Sequence, residues 1–203
     1  MFKFATDGSM DELATAPALA DYGQGFTRCA VHQQTQRTYA LARADDGDQA
    51  LVLLDANLQV VATVQAVEAD AAYLRPIRDV AVHGDQVIVL TSDHHAEGSG
   101  LRLLDLDGRF LRTIAAGQFR NPYAVTASHG RAFVVDDDEI APASDDDDSD
   151  DDWEPGKVLH VIDIQSGDIL QSARFELGGE VTTVLVDGDE VYIAGFGANT
   201  VVV

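Results

Sequence analysis

The chain has 203 residues, 46% of them hydrophobic, with a formal net charge of −22 and a pI near 4.2. That length and apolar content allow a substantial core and argue against wholesale disorder, while a field of this sign repels nucleic-acid phosphates and anionic lipid surfaces and argues against both as partners. Cys29 is the single cysteine, which rules out an intramolecular disulfide and a thiolate zinc cluster.

No stretch approaches the ~18 apolar residues of a membrane span, and the acidic N-terminus is unlike a secretory leader, so a cytoplasmic protein is expected. Apolar alternation of period two dominates, without a helix-length amphipathic segment. "FKFATDGSMDELATA" from Phe2 reads as two strands about a "TDG" turn. "FTRCAVHQQTQRTYALA" from Phe26 and "ALVLLDANLQVVATV" from Ala50 each read as a strand pair, with Cys29 as a small core residue of the first. "PIRDVAVHGDQVIVLTSD" from Pro76 and "LRLLDLDGRFLRTI" from Leu101 repeat the pattern. So do "PYAVTASHGRAFVVDDD" from Pro122 and "KVLHVIDIQSGDILQSARF" from Lys157, and "EVTTVLVDGDEVYIAG" from Glu180 opens a fourth unit.

Each unit is thus four short strands joined by polar, glycine-containing turns such as "HGD" (His83 to Asp85) and "DLDG" (Asp105 to Gly108), where glycine supplies the positive φ of a tight turn. Matching Val31, Val82, Ala127 and Val186 gives spacings of 51, 45 and 59 residues. Four-stranded units repeating every ~40–50 residues are the mark of β-propeller blades. The expected fold is therefore all-β, a propeller of four blades of four antiparallel strands in a single domain over 1–203. The longest spacing contains an acidic loop insertion, 136–156, in the third blade. Twelve acidic residues and no lysine or arginine lie between Asp136 and Glu154.

"VYIAGFGANTVVV" (Val191 to Val203) and "AFVVDDDE" (Ala132 to Glu139) resemble the second strand and following loop of NHL repeats. Pro76 and Pro122 ahead of first strands fit the same pattern, which NHL and YVTN propellers share. The chain ends at "NTVVV", where a third strand is due, and begins with a third-and-fourth-strand hairpin. The N-terminal hairpin is therefore expected to close the last blade, removing exposed strand edges. Two chains exchanging hairpins, an eight-bladed homodimer, is the second arrangement this permits.

The resemblance places the ligand face at the second-to-third-strand loops and the links between blades. Binding candidates on that face are Tyr73, Arg75, His94, His95, Arg120, Asn121 and Trp153. Asp93, His94, Glu97, Asp136 and Asp138 have the side-chain types of a divalent metal site. Every frame of "SDDDDSDDDWEPG" lacks the sixth-position glycine and twelfth-position glutamate of an EF-hand. No cofactor is predicted; a divalent cation such as calcium is the one the acidic run leaves open. Arg78 and Asp79, on a first strand, are candidates for a polar pair facing the central channel.

No Gly-x-Ser-x-Gly elbow, phosphate-binding glycine loop or His-Glu-x-x-His helix is present. The expected function is a non-catalytic binding or scaffold module contacting a protein or small-molecule ligand through its loop face. The alternative is a lactonase-like, metal-dependent hydrolase or lyase with its site in the central channel.

Overall fold

The computed structural model describes residues 2–4, 10–12, 26–43, 49–65, 76–92, 98–137, 156–177, 179–197 and 201–202. Three four-stranded antiparallel sheets follow one another along the chain. The first is β3 (Phe26–His32), β4 (Arg37–Arg43), β5 (Gln49–Leu54) and β6 (Val60–Gln65). The second is β7 (Ile77–His83), β8 (Gln86–Thr91), β9 (Gly100–Asp105) and β10 (Phe110–Ile114). The third is β11 (Ala124–Ser128), β12 (Arg131–Asp137), β13 (Lys157–Asp163) and β14 (Ile169–Phe175). A fourth contains β15 (Gly179–Asp187), β16 (Glu190–Gly197) and β17 (Val201–Val202). Spatial order follows chain order in every sheet, and the first strands β3, β7, β11 and β15 are neighbours from sheet to sheet.

The local chemistry explains the repetition. In the first three sheets the third strand ends at, or is followed by, an aspartate whose Oδ1 accepts backbone N–H of the turn behind it. Asp55 accepts from Asn57 and Gln59 at 2.9 and 2.8 Å, Asp105 from Asp107 and Arg109 at 2.9 and 2.8 Å, and Asp163 from Ser166 at 2.7 Å. These side chains make the turn without help from a partner strand. Gly108 (φ +83°) and Gly167 (φ +84°) complete two of them, and a Cβ there would lie 3.0 Å from Val64 Cγ2 and from Ile114 Cβ respectively. Glycine is needed at both positions for its dihedral and for the close approach of one sheet's turn to the preceding sheet.

Apolar faces then stack sheet on sheet. Tyr39, Leu41, Leu51 and Leu53 pack with Ile77, Val87 and Val89 between the first and second sheets. Ile88, Leu90, Leu101 and Leu103 pack with Val125, Val134 and Ile162 between the second and third. Val135 packs with Val181, Val184 and Ile193 between the third and fourth. Burying one such side chain fully contributes roughly 1.5–3 kcal/mol, so these layers dominate the stability of the stack.

Two expectations are corrected. Cys29 is exposed rather than a core residue. It shares its face of β3 with the half-exposed Val31, whereas Ala30, on the opposite face, packs toward the second sheet. The third-strand position beside β16 is taken by Val201–Val202, not by the N-terminal segment. There β1 (Phe2–Phe4) pairs with β2 (Met10–Glu12) as a separate two-stranded sheet.

Candidate functional site

The links between sheets are tied down on one side of the stack by polar groups at the open ends of the second and third strands. Gln49, at the start of β5, accepts from Ile77 N at 2.7 Å and donates to Ile77 O at 3.1 Å. Ser99, just ahead of β9, donates its hydroxyl to Phe119 O at 2.7 Å. Asp136, near the end of β12, holds this same link from the side of the third sheet. Its carboxylate accepts from Arg120 N (2.8 Å), Asn121 N (2.7 Å) and Asp137 N (2.9 Å), with the residue 2% exposed. Three amide donors satisfy a buried carboxylate that would otherwise be costly to desolvate.

Beside this junction opens a cleft of about 560 Å³. The register of the third sheet determines which residues reach it. Asp136 lies opposite Val158 and Val158 opposite Arg174, while Val134, His160 and Ser172 form the next cross-strand row. One row deeper, Ala132, Ile162 and Ile169 belong to the core. Phe119, 1% exposed, lies against His160 with ring centroids 5.9 Å apart and planes tilted by 39°. His160 Nδ1 is 2.8 Å from Ser172 Oγ, and its Nε2 is 3.8 Å from Asp136 Oδ2. Arg120 lines the same cleft.

Asp137, one residue on, belongs to the opposite face of the strand by alternation. There it forms a compact polar network. Lys157 Nζ donates to Asp137 Oδ1 at 2.7 Å and lies 4.6 Å from the Tyr123 ring centroid, and the Tyr123 hydroxyl and Asn121 Nδ2 reach Asp137 at 2.9 Å. Arg78 touches its edge through Asn121 Oδ1 at 3.4 Å. Burial pulls the Lys157 ammonium down, but the Asp137 carboxylate and the Tyr123 hydroxyl outweigh it and hold Lys157 above its ordinary value. Burial, reinforced by Asp137 and opposed by Lys157, pushes the Tyr123 phenol up. This lysine stays a cation: it is a structural partner and not a neutral nucleophile.

Asp79 is 7% exposed, and its carboxylate is turned toward neighbouring strands. A bulge between Ile77 and Asp79 re-aims the start of β7. Oδ2 accepts Val125 N of β11 at 2.9 Å, Oδ1 accepts Val80 N at 2.8 Å, and Arg28 Nε of β3 is 3.7 Å away. Asp79 thereby joins the first strands of three consecutive sheets. Burial raises its pKa from 3.8 to about 6, against the opposing pull of Val125 N, Val80 N and Arg28.

Of the residues singled out from sequence, Arg120, Asn121 and Asp136 meet at the link junction beside the cleft. Tyr73, Arg75, Asp93, His94, His95, Glu97, Asp138 and Trp153 lie outside the described residues. Among the described residues, no group of three or more His, Cys, Asp or Glu side chains is gathered as a metal site would require. Sequence reasoning passed over His160 and Ser172. The signal for them is incomplete: the "DIQSGD" turn fixes Ile162 opposite Ile169, and the register shift between Val161 and Ile162, which the turn does not announce, then aligns His160 with Ser172.

No family model matches the chain, and no curated protein does. Among solved structures it is similar to Pyrococcus horikoshii acylaminoacyl peptidase at 8% identity and TM-score 0.57, over 84% of this chain and 27% of that one. It is similar to Myxococcus xanthus glutaminyl cyclase at 11% identity and TM-score 0.55, over 85% of this chain and 62% of that one. It also resembles the β-propeller domain of the Trilobed protease from Pyrococcus furiosus at 7% identity and TM-score 0.52, over 83% and 47%. The chain spans 27 to 62% of the length of these structures, and the likeness is one of fold. The protein is all-β, an array of antiparallel sheets of the β-propeller kind. No helix among the described residues is long and apolar enough to cross a membrane.

Proposed function

We propose that the chain is a propeller of the NHL/YVTN type and acts as a binding or scaffold module, receiving a protein segment or small ligand at its link face. The observation that carries this reading is the cleft over β12–β14, where Phe119, Arg120, His160 and Ser172 converge on a floor fixed from behind by Asp136. A preformed concavity with an aromatic wall and a few oriented polar groups is the usual form of a small-ligand site. The acidic insertion, 136–156, begins at the rim of this cleft and is proposed as a loop of the third sheet that tunes which partners approach.

The test is an amide NMR titration of the full chain with small-molecule fragments. Binding here shifts resonances of Gly117–Arg120, Val158–His160 and Ser172–Arg174, and Arg120→Ala weakens the response. Fragments that perturb only the second cleft, lined by residues such as His129, Phe133 and Val191, would overturn the assignment.

The ring is proposed to close with four sheets. The eight-sheet homodimer is favoured by one observation: Leu185 and Phe196 of the fourth sheet are 57% and 78% exposed. A mass from light scattering separates the two.

A further inference from the structure

We propose that Ser172 is a nucleophile, activated by His160 and oriented through Asp136, toward small uncharged acyl esters that enter the cleft. The inference rests on the cleft being a ligand site and adds a chemical step to it. A nucleophilic serine needs a base within about 2.6–3.2 Å and a third group that orients the base. Ser172 Oγ and His160 Nδ1 are 2.8 Å apart, and the hydroxyl is on an exposed residue at the cleft wall. With Nδ1 accepting the serine proton, the imidazole carries its own proton on Nε2. That atom faces Asp136 Oδ2 at 3.8 Å, beyond direct hydrogen-bond range, with the carboxylate on the far side of the ring from Ser172. Three backbone amides pin the carboxylate, and the Phe119 ring limits rotation of the imidazole. Asp136 is thus a positioning residue, whereas Ser172 and His160 would touch the reacting atoms.

The step balances without a metal or redox partner. Ser172 Oγ bonds to the ester carbonyl carbon as its proton passes to His160 Nδ1. The carbon–alkoxide bond breaks, and the departing alkoxide takes that proton as an alcohol. Water then attacks the acyl-serine, His160 accepting the water proton and returning one to Oγ, which releases a carboxylic acid. Arg120 and Arg174 line the cleft together with Asp136 and Asp137, so its lining carries both signs of charge and an uncharged substrate is the one neither sign repels.

The test uses the full chain and a small alkyl fluorophosphonate, which forms a Ser–O–P bond and releases fluoride. Peptide mass spectrometry assigns the adduct to individual residues, and Cys29→Ala serves as background because the exposed thiol competes for electrophiles. The expected result is one adduct at Ser172, formed at least ~10-fold faster than at Ser128 or Ser166. It is absent in Ser172→Ala and slowed by about 10²-fold or more in His160→Gln, the range of a lost general base. Equal labelling of the three serines, or Ser172 labelling indifferent to His160→Gln in a variant with unchanged circular dichroism, overturns the proposal. Fragment binding that persists in Ser172→Ala while no labelling occurs in the parent removes the nucleophile and leaves the binding reading standing.

Discussion

Asp79 offers a quantitative test of the junction between the first three sheets. Its folded-state pKa of about 6 lies above the 3.8 of an ordinary aspartate, with burial as the main cause. The folded chain therefore holds this proton more tightly than the unfolded chain. Below pH 3.8 both states are protonated and the group contributes no pH dependence. Between 3.8 and 6 stability falls as pH rises, by up to about 1.36 kcal/mol per unit, and above 6 the loss is constant at about 3 kcal/mol. Asp79→Asn removes the titration at nearly the same volume. It also turns an amide NH₂ toward either Val125 N–H or Val80 N–H, a pH-independent cost of about 1–3 kcal/mol. The informative quantity is the difference in unfolding free energy between parent and variant, from urea melts between pH 4.5 and 7.5. Background titration of the other carboxylates is common to both proteins and cancels. The difference should shift against the parent by about 2 kcal/mol as pH rises through this window. A flat difference, or one moving in the parent's favour, would show that the carboxylate is not desolvated as its contacts imply.

Other substitutions test the remaining braces. Lys157→Met leaves Asp137 buried without its cation and should cost about 3–5 kcal/mol, with Asp137→Asn in the same chain restoring part of it; both are read from urea midpoints. Gly167→Ala should cost about 2–3 kcal/mol, since a Cβ would meet Ile114 at 3.0 Å. Gly188→Ala, at φ +60° with nothing within 4 Å, should cost only the backbone term of about 1 kcal/mol. Equal losses at the two glycines in thermal melts would show that the sheet-to-sheet approach at Gly167 is not tight. Leu103→Ala, at the centre of the layer between the second and third sheets, should lower stability by about 2–5 kcal/mol by calorimetry.

The strands and their turns were legible because both are local. Period-two alternation marks a half-buried strand, and an Asp two to four residues ahead of the amides it accepts marks a turn, so Asp55, Asp105 and Asp163 announce themselves. Cys29 was misread because alternation reports which residues share a face, not which face is covered; its side of β3 carries exposed residues. His160 and Ser172 sit twelve residues apart on adjacent strands, and only the shifted register between Val161 and Ile162 decides which residue faces the histidine. Lys157 looked like the first residue after an acidic insertion, although 4% exposure makes it the buried counter-ion of Asp137.

Asp136 couples scaffold and site in a way that constrains how either can be probed. Two other groups that hold links are neutral and sit at the heads of third strands: Gln49, at the start of β5, reaches Ile77, and Ser99, just ahead of β9, reaches Phe119 in the same link that Asp136 holds from β12. Asp136 accepts three backbone amides, and the same carboxylate lies 3.8 Å from His160 Nε2, so it has a link contact and a histidine contact that can be tested apart. Asp136→Asn separates the two roles because an amide oxygen can still accept from the link while the negative charge beside His160 is lost. One amide acceptor is then replaced by a donor, so a stability loss of about 1–3 kcal/mol accompanies any effect on the histidine. If the charge serves His160, fluorophosphonate labelling of Ser172 falls by an order of magnitude in this variant under conditions where its circular dichroism matches the parent. If the charge serves only the link, stability drops and the labelling rate of the folded protein does not move.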